Sequence, residues 1–291
     1  MQKLNKGNKF IGIGVYDGLT AKIAKQMGSE LLMASGGAIA RSMGVPDIGL
    51  LSMTEVLSRV KNIVEATDLP VIADIDTGYG GVRNVFRTVI EFEKIGVTAI
   101  QLEDQIFPKK CGHLEGRKLI SKKEMVEKIR AVVKARKNNL LLVTRTDGIG
   151  AENFEEAIER AKLYSKVGTD IIFVESPETM DQIIKIPQIL KSFNLPIYFN
   201  RGAKDAKTPP ISAQELFKLG YSIVIFPTDL QLAAIHGMRC VTKEIINSGS
   251  SGKYKDMATF KERETIVELN KYMELEESIS NEVQDILGEN I

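Results

Sequence analysis

Acidic side chains that could hold a metal ion stand at the ends of two short apolar runs. Asp74 and Asp76 close one run, and Glu103 closes the next. Carboxylates brought to one place repel each other unless a cation lies between them. Because an all-oxygen ligand set suits a hard ion, the pattern favours Mg²⁺ or Mn²⁺ with several water molecules kept on the metal. The alternative is a salt-bridged network in which Arg145 and Lys109 neutralise the acids.

A cysteine that could move a proton lies in the sequence Lys109-Lys110-Cys111-Gly112-His113. Its two lysine neighbours and the histidine favour the thiolate form of Cys111. Such a thiol can exchange a proton near neutral pH or attack an electrophile. The stretch from Asp104 to Ser121 has the length of a lid, with Gly112 and Gly116 as flexible points. The alternative is a basic surface turn with an incidental cysteine.

A seat for an anion is offered by Ser35-Gly36-Gly37, whose backbone N–H groups are not obstructed by side chains. The GK[ST] of a Walker loop is missing there. Other polar residues close further apolar runs: Tyr16, Asp17, Asp104, Arg145, Asp147, Glu175, Asn200, Thr228 and Asp229. For three of these, Asp17, Asp147 and Asp229, the alternative to a functional role is a purely structural one as a helix N-cap.

The elements that must position these residues are eight short runs rich in Ile, Val and Leu: Ile11–Val15, Leu31–Ala34, Val71–Asp74, Ala99–Glu103, Leu140–Arg145, Ile171–Glu175, Ile197–Asn200 and Ile223–Pro227. Runs without strict alternation are typical of parallel strands buried on both faces. The segments between them have helical period, which predicts an α/β protein with a closed (β/α)₈ TIM barrel. In such a barrel the active site lies at the carboxyl ends of the strands.

Beyond the eighth strand we expect an eighth helix over Leu230–Ile246, a flexible break, and a helical tail over Met257–Leu287. The tail would cover the bottom of the barrel or pack on another subunit. The chain is thus predicted to be a single domain over residues 1–291, with 247–291 as a C-terminal helical extension. In the eighth helix, Cys240 is expected to be buried in the packing and His236 to be structural.

Composition excludes several other classes of protein. The 291 residues carry 39 Lys plus Arg and 38 Asp plus Glu, a net charge of +1, which gives no footprint for nucleic acid or an anionic membrane. Two distant cysteines predict neither a disulfide framework nor a zinc site. The apolar run near the N-terminus is too short for a signal peptide, and no run approaches a membrane span. We expect a soluble cytoplasmic protein.

Several strings resemble, in kind and in order, the isocitrate lyase/phosphoenolpyruvate mutase superfamily: Ser35-Gly36-Gly37, Gly44-Val45-Pro46-Asp47, Asp74-Ile75-Asp76-Thr77-Gly78-Tyr79-Gly80, Glu103-Asp104-Gln105 and Lys109-Lys110-Cys111-Gly112-His113. The cysteine string is similar to the gating loop of the lyase branch, which includes methylisocitrate lyase and 2,3-dimethylmalate lyase. The segment Val15–Gly18 is more similar to dimethylmalate lyase and mutase members, and Arg201–Asp205 differs from the lyases. The substrate therefore stays open.

This resemblance implies a reaction. The expected activity is Mg²⁺-dependent cleavage of a carbon–carbon bond in a 2-hydroxy di- or tricarboxylate, of the 2-methylisocitrate or 2,3-dimethylmalate type. The products would be a 2-oxo acid such as pyruvate and a carboxylic acid, with Cys111 as the proton donor. The alternatives are a carboxyphosphonoenolpyruvate-type phosphonomutase, an oxaloacetate acetylhydrolase, and a non-catalytic barrel that serves as a binding module.

The resemblance also implies roles for individual residues. The implied catalytic group is Cys111, Lys109, His113 and Tyr16. The implied substrate-binding group is Ser35, Gly36, Gly37, Lys110, Gly112, Arg145, Glu175 and Asn200. The implied metal group is Asp74, which would contact Mg²⁺ most directly, with Asp76, Asp47 and Glu103, which would hold its waters. The implied assembly is a homotetramer whose last barrel helix is swapped between subunits.

Overall fold

The computed structural model of the chain describes residues 7–112, 116–202, 207–252 and 254–288. The chain divides into two compact units, Met1–Ala233 and Ala234–Ile291. The division falls inside a long helix, upstream of the boundary at 247 predicted for the extension. None of the described helices is long and apolar enough to cross a membrane.

The first unit is built on a closed barrel of parallel strands, in which each strand pairs with the next in sequence and the last pairs with the first. The strands are β1 (Phe10–Val15), β2 (Leu31–Ala34), β3 (Val71–Asp74), β4 (Ala99–Glu103), β5 (Leu141–Thr146), β6 (Ile171–Val174), β7 (Ile197–Asn200) and β8 (Ile223–Phe226). The predicted (β/α)₈ barrel is therefore confirmed. Four of the eight predicted strands have the predicted bounds; three others differ by one residue at one end, and β5 differs by one residue at both ends.

Helices surround the barrel between these strands. They are α1 (Gly18–Gln26), α2 (Gly36–Ser42), α3 (Met53–Ala66), α4 (Val82–Lys94), α5 (Lys122–Ala135), α6 (Gly148–Ala151), α7 (Phe154–Ser165), α8 (Met180–Leu190) with a 3₁₀ turn at Lys191–Phe193, and α9 (Ala213–Leu219). Several begin at a reciprocal cap: Ser52 accepts from the Glu55 N–H, and the Glu55 carboxylate accepts from the Ser52 N–H. Such capping boxes satisfy backbone donors that a helix start otherwise leaves unpaired.

Apolar side chains form two layers around the strands. Successive residues in a strand point to opposite faces, so Leu31 and Met33 of β2 belong to a cluster inside the barrel, whereas Leu32 packs between strands and helices. Inside the barrel the rings of Phe173 and Tyr198 lie with their centroids 4.4 Å apart. This inner apolar layer packs the barrel interior beneath the polar residues at the carboxyl ends of the strands.

Three helices make up the end of the chain: α10 (Asp229–Ser248), α11 (Phe260–Ile266) and α12 (Leu269–Leu287). The predicted helical tail is interrupted because Glu268 adopts the left-handed conformation, with φ at 60°. Neither α11 nor α12 has a buried residue. Cys240 is only half-buried, with its Sγ 3.6 Å from His236 Nε2, so the predicted burial of this cysteine is wrong.

Candidate active site

A cavity of about 100 Å³ lies at the carboxyl ends of the strands. Ten of the predicted site residues line it: Ser35, Gly37, Asp47, Asp74, Lys109, Cys111, Gly112, Arg145, Glu175 and Asn200. Sequence reasoning missed other lining residues, among them Met33, Arg41, Tyr198 and Pro227. Barrel closure thus brings together side chains that are far apart in sequence, as expected for residues that end parallel strands.

Asp74, the last residue of β3, and Asp76, two residues later, lie against the start of α2. The Asp76 N–H donates to Asp74 Oδ1 at 3.1 Å, and Asp76 holds a left-handed φ of 48°. A Cβ on Gly36 would lie 2.9 Å from Asp74 Oδ2 and 3.4 Å from Asp76 Oδ1. Burial, together with the nearby Asp76 and Asp47 carboxylates, raises the pKa of Asp74 to about 6. The close approach therefore requires glycine at position 36. Burial and the neighbouring acids make Asp74 easier to protonate than a free aspartate.

Glu103, at the end of β4, is buried and only partly compensated. Its Oε2 lies 3.5 Å from Arg145 Nη1, while its buried Oε1 has no hydrogen-bond partner among the described residues. Burial raises the pKa of Glu103 well above its usual value; Arg145 opposes this, and Asp147 and Asp76 add to it. A carboxylate in this position gains from any cation placed beside it.

Lys109 enters this acidic cluster from the loop after β4. Its ammonium contacts Asp47 and lies 2.9 Å from Asp76 Oδ1, and the side chain is almost fully buried. Burial alone lowers the pKa of Lys109, but Asp76, Glu103 and the other acids outweigh burial and raise it well above its usual value. Lys109 therefore stays charged at neutral pH and can act as a fixed cation but not as a base.

Arg145, from β5, faces the cavity and is held by acids on three sides. Its Nε and Nη2 each donate to Asp147 at 2.8 Å, and its Nη1 lies 3.2 Å from Glu175 and 3.5 Å from Glu103. Asn200 Nδ2 donates to the same Glu175 carboxylate at 3.4 Å. With Lys109, this is the salt-bridged network that was the alternative to a metal site, so the acids are partly neutralised by protein cations.

Asp147 holds the guanidinium of Arg145 through two hydrogen bonds. Its side chain makes no capping bond to α6, so it does not act as an N-cap. It also accepts from Arg117 Nη1 at 2.8 Å, and its own N–H donates to Asp104 at 2.9 Å. The Tyr164 hydroxyl donates to Asp104 at 2.9 Å. Sequence reasoning missed Arg117 and Tyr164; no local pattern marks them, because their partners lie 30 and 60 residues away.

The cysteine loop is anchored on both sides of Cys111. Gln105 brackets the Lys110 backbone, donating to its carbonyl at 2.9 Å and accepting from its N–H at 3.0 Å. The Ser176 hydroxyl donates to the Gly112 carbonyl at 3.1 Å. A Cβ on Gly112 would lie 2.7 Å from Arg145 Nη2, so the loop passes directly over the guanidinium. This path places half-buried Cys111 in the cavity wall.

Of the other predicted residues, Tyr16, Asp17 and Lys110 lie outside the cavity lining. Tyr16 is half-buried. Burial and, to a smaller extent, the negative charge of Asp17 raise the pKa of Tyr16, so its hydroxyl stays protonated at neutral pH. Asp17 forms a capping box at the start of α1, which confirms its reading as a cap. Lys110 is exposed outside the lining. His113, like residues 203–205 of the segment predicted to differ from the lyases, lies outside the described residues.

The donor set fits Mg²⁺ better than a softer metal. All the candidate donors are carboxylate oxygens, Glu103 Oε1 is buried without a partner among the described residues, and burial together with the acidic neighbours raises the pKa of Asp74. In the described parts of the chain, no three acidic, His or Cys side chains converge as a ready direct ligand set. Mg²⁺ does not require one, because it keeps several waters and uses one or two carboxylates directly.

Comparison with known proteins identifies the family. The family model described as phosphoenolpyruvate phosphomutase matches residues 1–246. The chain belongs to the phosphoenolpyruvate mutase/isocitrate lyase superfamily. Within it, the chain is 41% identical to 2,3-dimethylmalate lyase of Eubacterium barkeri over 90% of this chain and 91% of that protein. It is 38% identical to 2-methylisocitrate lyase of Aeropyrum pernix over 98% of this chain and 91% of that protein.

A solved superfamily member extends the comparison to ligands. The structure of phosphonopyruvate hydrolase in complex with oxalate and Mg²⁺ has a TM-score of 0.82, 28% identity, and coverage of 94% of this chain and 95% of that one. The relatives named as lyases place the chain in the carbon–carbon lyase class of enzymes. The predictions of family and enzyme class are confirmed.

Proposed function

We propose that the chain is a Mg²⁺-dependent lyase that cleaves a 2-hydroxy di- or tricarboxylate to a 2-oxo acid, such as pyruvate, and a carboxylic acid. The favoured substrates are of the 2,3-dimethylmalate and 2-methylisocitrate types, as in the names of the two relatives. The observation that carries the proposal is one small cavity lined by Asp74, Arg145 and Cys111. A candidate metal ligand (Asp74), a fixed cation (Arg145) and a candidate proton donor (Cys111) thus line the same cavity.

Asp74 would hold Mg²⁺ directly, with Asp76, Asp47 and Glu103 holding its waters. When bound, Mg²⁺ supplies Lewis acidity to the oxygen atoms of the substrate and stabilises the charge that develops on them. The buried Glu103 and Asp74 carboxylates, both with raised pKa values, support this assignment because a divalent cation would relieve the repulsion among the acids.

The residues of the chain itself bind and orient the substrate. Arg145 would pair with the carboxylate of the forming 2-oxo acid, and Ser35 and the Gly37 backbone would donate to the same end. Glu175 holds Arg145 in place at 3.2 Å. The cavity wall also includes Met33, which would give methyl substituents of the substrate an apolar surface.

Cys111 would complete the bond cleavage. A solvent water would take the proton of the 2-hydroxyl, the electrons of that O–H bond would form the carbonyl, and the C2–C3 pair would pass to C3. The Cys111 thiol gives its proton to C3, and the resulting thiolate regains a proton from solvent after product release. Lys109 stays charged and would offset the negative charge of the substrate and its intermediate.

The direct test measures release of 2-oxo acid from 2,3-dimethylmalate, 2-methylisocitrate and isocitrate with Mg²⁺. Wild type should be active on at least one, and Cys111→Ser should lose at least about a hundredfold in kcat with an unchanged Tm. Cys240→Ser is the matched control and should keep full activity. Inertness towards all three acids would contradict the lyase, and phosphorus NMR on phosphonopyruvate and carboxyphosphonoenolpyruvate would then report the phosphonate alternative.

We further propose that the chain assembles as a homotetramer with its last barrel helix exchanged between subunits. In the first unit an apolar groove is lined by Ile11, Ile13, Met27, Phe217 and other residues, and Met27 is largely exposed. Exposed apolar surface of this kind is typical of subunit contacts. Light scattering after size exclusion should give four times the chain mass; a monomer would contradict the assembly. The cytoplasmic location stays a prediction.

A further inference from the structure

Arg41 lines the active-site cavity, and neither the motifs nor the proposed mechanism assigns it a role. We propose that Arg41 determines substrate specificity by binding a second carboxylate, at the end of the substrate remote from the forming 2-oxo acid. This inference rests on the proposed lyase function and adds a residue that selects di- and tricarboxylates over shorter acids.

The balance of charge in the cavity singles out Arg41. Lys109 is neutralised by Asp47 and Asp76, and the guanidinium of Arg145 by three acids, Glu175 among them. Arg41 forms no ion pair with any residue in the described ranges, and its recorded hydrogen bond goes to a neutral carbonyl. Of these three cations, Arg41 is the one without an ion pair in the described ranges; Asp47 lies near it but is held by Lys109.

The backbone of α2 fixes the position of the guanidinium. Arg41 Nη1 donates to the Gly37 carbonyl at 2.8 Å, one helical turn earlier. Both Arg41 Nη1 and Asp47 Oδ2 lie 2.8 Å from the point where a Cβ on Gly37 would stand. Arg41 therefore lies next to Gly37 of the proposed anion-binding segment and next to Asp47, one of the acids proposed to hold the waters of Mg²⁺. Because Arg41 is exposed while Arg145 is buried, the two guanidinium groups serve the outer and inner ends of the cavity.

The chemistry of guanidinium suits a carboxylate at this outer end. A guanidinium has five N–H donors in a planar fork, and one donor to Gly37 leaves the others for a ligand. Two parallel bonds to a carboxylate are strong and depend on geometry. On this proposal, oxalate and pyruvate are held by Arg145 and the Gly37 N–H and make no bond to Arg41. A substituted malate or isocitrate carries a further carboxylate that would extend towards it.

The experiment compares long and short ligands in wild type, Arg41→Met and Arg41→Lys. We expect R41M to raise the KM for the cleaved acid about tenfold or more, as expected on losing a charged hydrogen bond, with kcat changed less than about threefold. Calorimetry in Mg²⁺ should show the affinity for succinate falling by a similar factor and the affinity for oxalate unchanged. R41K should lie between the two proteins, because it keeps the charge but not the fork.

Arg59→Met, on α3 and outside the cavity lining, is the matched control and should change neither affinity. Equal losses for oxalate and succinate in R41M would make Arg41 a brace of α2 and overturn the inference, as would unchanged binding of both. If wild type binds succinate through Arg41 but cleaves no acid, the lyase proposal fails and the carboxylate site stands. If wild type does not bind succinate at all, the site is refuted.

Discussion

Replacing Asp147 with asparagine tests the buried network that orients Arg145. Asp147 is fully buried and accepts three hydrogen bonds at 2.8 Å, two from Arg145 and one from Arg117. Removing one partner of a buried ion pair costs about 3–5 kcal/mol, because the remaining charge stays buried without compensation. Asparagine keeps the shape and one acceptor oxygen. We therefore expect D147N to lower the free energy of unfolding by about 3 kcal/mol, the lower end of that range.

This loss should depend on pH. Burial raises the pKa of Asp147, but Arg145 and Arg117 outweigh burial and hold that pKa below its usual value. A carboxyl whose folded-state pKa is lowered adds stability above its unfolded pKa of about 3.9, and this stability is lost as the pH falls through the folded-state pKa. The difference between wild type and D147N should be full at neutral pH and shrink below about pH 4.

Urea denaturation at neutral and acidic pH, with kinetics at neutral pH, is the assay. Arg145 would be less firmly held, so kcat/KM should fall at least about tenfold. Asp17→Asn is the matched control, since asparagine is as good an N-cap as aspartate and stability should change by a few tenths of a kcal/mol. D147N proteins as stable as wild type, or equally destabilised at both pH values, would refute the reasoning.

Three further substitutions or conditions probe other parts of the site. Because burial raises the pKa of Asp74 to about 6, protons compete with Mg²⁺, and the rise in Tm on adding Mg²⁺ should be larger at about pH 7.5 than at about pH 5; equal rises would contradict the assignment. Gly36→Ala puts a methyl group 2.9 Å from Asp74 Oδ2 and should weaken Mg²⁺ binding in calorimetry about tenfold, whereas Gly81→Ala, with open space around its Cβ, should not. Tyr164→Phe removes a buried donor and should cost about 1–3 kcal/mol in urea denaturation; an unchanged midpoint would show that its hydroxyl bond is dispensable.

The sequence alone predicts the barrel and much of the cavity lining for one physical reason. Parallel strands in a closed barrel bring their carboxyl ends to one rim, so any polar residue that ends an apolar run is a candidate. Asp74 and Arg145, which lie in the rim and line the cavity, are found this way. The rule does not say which way a side chain points, and Tyr16, just beyond β1, lies outside the cavity lining.

The remainder of the site depends on contacts that only the folded chain creates. Arg41 follows Gly37 by one helical turn, and this spacing could have placed it beside the anion seat, although nothing in the sequence shows that it forms no ion pair with the described residues. Arg117 reaches Asp147 across 30 residues, and only the fold brings the two together. The break in the helical tail at Glu268 is equally hidden, since its residue type does not demand a left-handed backbone.

The incomplete compensation of Glu103 has a consequence for how the protein behaves when it is empty. Glu103 Oε1 has no hydrogen-bond donor among the described residues, and a buried carboxylate oxygen of this kind makes the folded state less stable than its packing allows. A cation that binds only the folded chain restores this loss by mass action. Chelators should then lower the temperature at which the enzyme inactivates. Enzyme purified without Mg²⁺ should be less stable than enzyme purified with it. Durability and readiness for catalysis would be set by the same ion.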